Sequence, residues 1–164
     1  MPFALVRIDD RLIHGQVVVG WVHAVRPDRI ILCNDDVANS EWERDLYLNS
    51  YTDADVKIDV MSADEAIAYL KSPAFEKEKV ILLVESPKDA WTLIEKGAPI
   101  TDINVGGMHY KENAKEITSY IFVSEEDIKY LNLFHEKGIK IEARDVPNSK
   151  SYDLIERLNK MVRK

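Results

Sequence analysis

The stretch Asp9-Asp10-Arg11-Leu12-Ile13-His14-Gly15-Gln16 gathers two carboxylates, a guanidinium, an imidazole and a glycine in one short run. That set suits capture of a phosphoryl group. A neutral imidazole offers a nitrogen lone pair as nucleophile, and a guanidinium offers two parallel donors to phosphate oxygens. A glycine lets the backbone approach an anion closely. Val18, Trp21, Val22 and Val25 follow at helical spacing, which predicts a helix starting near His14 or Gly15. His14 would then sit at a helix N-terminus, where free amides and the dipole attract an anion. The same positive end disfavours imidazolium and keeps the ring neutral. His14 is thus the candidate nucleophile, Arg11 the principal phosphate ligand, and Gly15 and Gln16 the source of helix-end amides.

Asp9 or Asp10 could hold the imidazole in one tautomer or brace Arg11, and the residues leave both roles open. Arg7 could supply charge or brace one of these acids. A loop histidine is commonly no more than a polar surface residue, and an Asp-Arg run is commonly a solvated turn. The apolar pair Leu12-Ile13 directly before His14 speaks against a freely solvated loop.

The elements that must position these groups alternate along the chain. Strands are predicted over residues 3–8, 29–33, 56–60, 80–84, 102–105, 120–123 and 139–143. Several are apolar without alternation, as when helices cover both faces of a sheet. Between them, Ser62-Ala63-Asp64-Glu65 reads as a capping box, and Ser86-Pro87 as a cap followed by proline at the first helical position. Ser124-Glu125-Glu126-Asp127 repeats the pattern with acids in the first turn. Lys96-Gly97 and Lys137-Gly138 mark helix ends. The rhythm predicts a three-layer α/β/α sandwich with a mainly parallel sheet of six or seven strands, in a single domain over residues 1–164. Strand order is open, and the last strand could run antiparallel.

In open parallel sheets, ligands bind outside the carboxyl ends of the strands. The loop after the first strand is one such place. Another is Gly106-Gly107, expected to follow a strand as a turn that offers amides to an anion, or as a plain tight turn. His109 beside it could touch a substrate or partner, whereas His23 and His135 read as structural. Asp35-Asp36 could form an acidic pocket, but a polar strand-end loop is the simpler reading. Trp42, Tyr47 and Tyr51 read as half-buried helix residues, with a partner surface as the alternative. Cys33 reads as a small buried strand residue. No zinc spacing is present among the four histidines.

Composition narrows the function classes. The chain has 164 residues, is 46% apolar and carries a net charge of −7, so an ordinary core is within reach. An acidic surface repels nucleic acid and anionic lipid. No leader and no apolar run of membrane-spanning length are visible, so the expectation is a cytoplasmic protein that works at a membrane only through a partner.

Val6-Arg7-Ile8-Asp9-Asp10-Arg11-Leu12-Ile13-His14-Gly15-Gln16-Val17 resembles the signature of the enzyme IIB component of the mannose/fructose/sorbose family of the bacterial sugar phosphotransferase system (PTS). Asn34-Asp35-Asp36-Val37-Ala38, Ile103-Asn104-Val105-Gly106-Gly107-Met108-His109, Val123-Ser124-Glu125-Glu126-Asp127 and residues 138–147 resemble further family blocks in the same order. The resemblance implies a phosphohistidine–sugar phosphotransferase of α/β/α fold. A IIA phosphodonor loads Nδ1 of His14, and the phosphoryl group passes to a sugar carried inward by membrane components IIC and IID. It implies no metal or organic cofactor, no nucleic acid, and peripheral association with the inner face of the membrane through the permease. Which sugar is carried does not follow from it.

Two rival readings stand beside this one. A regulatory module of the same fold would sense phosphorylation or sugar flux without delivering phosphate to sugar. A dehydrogenase-like nucleotide site is disfavoured, because the first turn lacks G-x-G-x-x-G.

Overall fold

A computed structural model describes residues 3–13, 15–51, 53 and 55–162, with the backbone alone described at 15–17 and 162. The chain opens with β1 (Leu5–Asp9), α1 (Gly15–Val25), β2 (Arg29–Cys33), α2 (Asp35–Ala38) and α3 (Glu41–Leu48). It continues through β3 (Lys57–Met61), α4 (Ala63–Leu70), α5 (Pro73–Lys77), β4 (Val80–Val84), α6 (Pro87–Glu95) and β5 (Asp102–Gly107). The last part holds β6 (Lys115–Thr118), β7 (Ile121–Val123), α7 (Glu125–Glu136), β8 (Lys140–Ala143), β9 (Tyr152–Asp153) and α8 (Leu154–Val162).

Seven strands form one sheet in the order β3-β2-β4-β1-β5-β8-β9. All neighbours are parallel except β9, which runs antiparallel to β8. The side-chain period of two splits each central strand between two cores. Ile31 and Cys33 of β2 and Val80, Leu82 and Val84 of β4 pack with α4, α6, α7 and α8 on one face. Ile30 and Leu32 of β2 and Ile81 and Leu83 of β4 pack with α1, α2 and α3 on the other. This is the expected three-layer α/β/α arrangement.

The helix signals hold in detail. Ser62 and Ser124 each close a reciprocal capping box, with Glu65 and Asp127 respectively. The Ser86 side chain accepts from the Asp89 amide, with Pro87 in the first turn. Gly97 and Gly138 take φ of 101° and 83°, the left-handed conformation that ends a helix. Cys33 is buried, and burial pushes its thiol up to about 12.

Several expectations need correction. The strand predicted at 120–123 is β7, which pairs antiparallel with β6 in a separate two-stranded ribbon. Its seventh place in the main sheet goes to the two-residue β9, too short to leave a sequence pattern. The direction of β8, left open by the sequence, is parallel to β5. Gly106-Gly107 lie inside β5 rather than in a turn after it. Trp42 is not half-buried but 69% exposed, and Tyr51 lies beyond the end of α3, while Tyr47 is half-buried as expected.

Candidate functional site

The strand β1 lies near the middle of the sheet and hands the chain to α1 on one face. Its neighbours β4 and β5 lead towards α6 and α7 on the opposite face. Connections that part in this way open a crevice at the carboxyl ends of the strands. Asp10–Ile13 stand at that crevice.

The loop turns at once. The Leu12 amide donates to the Asp9 carbonyl at 3.0 Å, and Leu12 itself has φ 59°, a costly conformation for a leucine. Leu12 and Ile13 drop into the core beside α1, only 7% and 6% exposed. The apolar pair thus anchors a strained turn, which explains its place before His14. His14 lies outside the described residues. The helix α1 begins at Gly15, as predicted, and Gln16 follows in its first turn. Among the described helices, α1 alone has no acid in its first turn. Its leading amides have no intrahelical partner, and its own first turn offers no carboxylate to the positive end.

Beneath the loop, one carboxylate organises two guanidiniums. Asp9, at 0% exposure, accepts from Arg11 Nε through Oδ1 at 2.9 Å and from Arg11 Nη2 through Oδ2 at 2.8 Å. Oδ2 also accepts from Arg7 Nη2 at 3.0 Å, and Oδ1 from the Arg11 amide at 3.0 Å. Burial alone would raise the Asp9 carboxyl, but the hydrogen bonds from Arg11 and the charge of Arg7 outweigh it and hold it below its ordinary value. The hydrogen bond to Asp9 in turn raises Arg11. Burial lowers Arg7, with the Asp9 charge opposing. Of the two roles left open for Asp9, bracing Arg11 is the one observed. Arg7 braces Asp9 from below.

Arg7 is a tie between strands. Its Nη1 donates to Asn104 Oδ1 on β5 and to the Arg144 carbonyl, and its Nη2 to the Asp145 carbonyl at 2.8 Å. The Trp21 ring of α1 lies 5.3 Å from its guanidinium carbon. The register between β1 and β5 slips between Ile8 and Asp9, so that Asp9 faces Gly107 and Gly106 is the extra residue of a bulge. A Cβ on Gly106 would stand 1.9 Å from the Arg7 guanidinium, and one on Gly107 2.9 Å from Asp9 Oδ1. The glycine pair therefore makes room for the charged cluster. The Gly106 carbonyl accepts from Arg11 Nη2 at 3.2 Å, and the Gly107 carbonyl from the Asp10 amide at 3.1 Å.

The two-donor fork of Arg11 expected to face phosphate is turned onto Asp9 instead. Its Nη2 meets Asp145 as well, at 3.1 Å, while Nη1 has no partner among the described residues. Asp10 takes a different part. Its Oδ2 accepts from the His109 amide at 2.6 Å, and the exposed His109 ring places Nδ1 2.6 Å from Oδ1. It thereby fastens the loop after β1 to the segment after β5.

A family model described as the PTS system sorbose subfamily IIB component matches residues 3–164. The chain belongs to that family. It is 37% identical over 163 residues to the fructose-specific EIIB component of Bacillus subtilis, covering 99% of both chains. To the sorbose-specific EIIB component of Klebsiella pneumoniae it is 35% identical over 159 residues, covering 97% of this chain and 96% of the relative. The crystal structure of the IIBSor domain of the K. pneumoniae sorbose permease superposes with a TM-score of 0.91 at 34% identity over 98% of each chain. The mannose-specific EIIAB component of Escherichia coli (strain K12) is 35% identical over 163 residues, and the IIB-family chain spans 50% of it.

Within this IIB-family chain, sequence reasoning did not single out Asp145, Asn104 or Trp21. Asp145 stands two residues beyond β8 at the same carboxyl edge, so its position alone was a usable signal. Asn104 and Trp21 join through Arg7 across elements far apart in sequence, and no local pattern announces that.

Proposed function

We propose that this IIB-family chain carries a phosphoryl group on His14, taking it from the phosphohistidine of an A-type partner and giving it to a sugar during uptake. The observation that carries this reading is the arrangement around Arg11. Asp9 fixes its guanidinium at the carboxyl edge of β1, four residues before the acid-free start of α1, and leaves Nη1 without a partner among the described residues. Family membership and the EIIAB designation of the E. coli mannose relative support an A-type donor.

In this account the His14 imidazole, kept neutral by the helix end, attacks phosphorus through one nitrogen. The P–N bond to the donor breaks, and its electron pair stays with the donor imidazole, which takes up a proton from solvent as His14 gives up the proton on its other ring nitrogen. The amides of Gly15 and Gln16 and Arg11 Nη1 receive the negative oxygens. An arriving phosphoryl group competes with Asp145 for Nη2, so the Arg11–Asp145 contact is exchanged on loading. Gly106 and Gly107 leave room for Arg7 and Asp9, which hold Arg11 in place. In the second half-reaction a sugar hydroxyl oxygen bonds to phosphorus, the P–N bond breaks with its electron pair on His14, and the hydroxyl loses a proton as His14 regains one. The setting is cytoplasmic, with the sugar presented by membrane components of the IIC/IID kind.

The test is a chase. The chain is labelled with phosphorylated IIA, freed of donor, and mixed with membranes holding IIC and IID and the family's sugars. Label should leave the protein and appear as sugar phosphate. Label that stays on the protein with every sugar would instead favour a regulatory module.

A further inference from the structure

The exposed large hydrophobic residues among the described ones are Val19, Trp42, Leu46 and Tyr110. Tyr110 belongs to the segment after β5. The other three share the layer formed by α1, α2 and α3, and the layer of α4, α6, α7 and α8 shows none. Trp42 and Leu46 are 69% and 53% exposed and lie four residues apart on α3, so they form one stripe. No residue of α3 is fully buried. Beside the stripe on α3 itself stand the exposed acids Glu41 and Asp45; the exposed Asp35 and Asp36 precede them on α2, and Arg44 is the one base between Asp35 and Leu48. A tryptophan and a leucine held in water at this exposure are unfavourable unless something covers them.

The charge around the stripe selects what covers it. Two copies of the chain meeting through this face would set acid against acid, which opposes association. Nucleic acid and anionic lipid are repelled for the same reason. The cytoplasmic loops of membrane-spanning proteins carry an excess of lysine and arginine, and so offer the opposite sign. The stripe leaves the carboxyl edge with α2 and α3 directly after β2, in the layer that also contains α1. A partner gripping it can therefore face the phosphoacceptor loop as well. We propose that Trp42 and Leu46, flanked by Glu41 and Asp45, dock this chain onto the basic cytoplasmic loops of the membrane sugar carrier. Trp42 and Leu46 supply the apolar anchor, and the acids steer the encounter. The inference rests on the relay reading given above.

The test separates the two half-reactions in the full-length chain. The double variant Trp42→Ala/Leu46→Ala and the charge variant Glu41→Lys/Asp45→Lys are compared with wild type. Each should raise the KM for phosphorylated chain in sugar phosphorylation by carrier membranes by about tenfold or more, with kcat and the rate of loading by the donor unchanged. Added salt should raise the wild-type KM and leave that of the charge variant nearly constant. An unchanged KM overturns the proposal. Equal slowing of donor loading overturns it in favour of the donor as occupant, and a wild-type dimer split by the apolar variant does so in favour of a second copy. The charge variant alters only exposed positions, so it keeps the test alive if the apolar variant misfolds. Pull-down of unphosphorylated chain by carrier vesicles reads docking even if His14 accepts no phosphate, so the two failures stay distinct.

Discussion

Asp9 grips Arg11 through both carboxylate oxygens, at 2.9 Å to Nε and 2.8 Å to Nη2, from a position with no exposed surface. With Arg7 on the same Oδ2, one negative charge holds two positive ones. Replacing it by Asp9→Asn leaves the buried Arg7 without its close counter-charge and Arg11 with Asp145 alone. Breaking a buried ion pair from one side typically costs about 3–5 kcal/mol. Denaturant unfolding should show a loss of that order, together with slower loading by the donor.

The depressed Asp9 carboxyl also sets a direction for pH. As pH falls, the unfolded chain takes up the proton first, because its carboxyl has the higher value. The stabilisation is therefore complete above the unfolded value and is lost as pH falls through the folded one, in the range below about pH 4. Unfolding midpoints measured down this range should fall steeply for wild type and less steeply for Asp9→Asn.

Arg11→Lys separates positioning from charge. A lysine ammonium is a single point charge and cannot place two nitrogens on Asp9 and a third towards phosphate, as the guanidinium does. Loading of His14 should slow by roughly 10²–10³-fold, the usual cost of losing a donor to developing negative charge. Arg11 is partly exposed, so stability should change far less than in Asp9→Asn. A variant that loads at the wild-type rate would remove Arg11 from the phosphate site.

Gly106→Ala places a methyl group 1.9 Å from the Arg7 guanidinium and must displace it from Asp9 and Asn104. Overpacking of this kind costs about 1–3 kcal/mol. Gly107→Ala meets Asp9 Oδ1 at 2.9 Å and Arg11 Nε at 3.2 Å, a milder clash. Thermal unfolding should rank Gly106→Ala as the less stable of the two.

What could be read from the sequence was local. Ser62, Ser86 and Ser124 announce their helices because a cap is decided within four residues, and Gly97 and Gly138 announce ends for the same reason. The start of α1 and the edge location of the Asp9–Gly15 loop followed from periodicity and from the strand before it. The departures came from choices made at long range. Ile121–Val123 has the composition of a sheet strand, yet it pairs with Lys115–Thr118 in a ribbon. Gly106 reads as turn material, yet it stays in β5 because a residue nearly a hundred positions earlier, Arg7, needs its side-chain space. Trp42 reads as half-buried on hydrophobicity, yet its stripe turns to solvent, which only packing decides.

The central claim is that His14 receives the phosphoryl group. Wild-type chain incubated with phosphorylated IIA, digested at neutral or alkaline pH and sequenced by mass spectrometry should show an acid-labile phosphoryl group on the peptide spanning Arg11–His14–Val18, at His14. The variant His14→Ala should take up none. Label at His109 or another side chain, or label that persists in His14→Ala, would contradict the account.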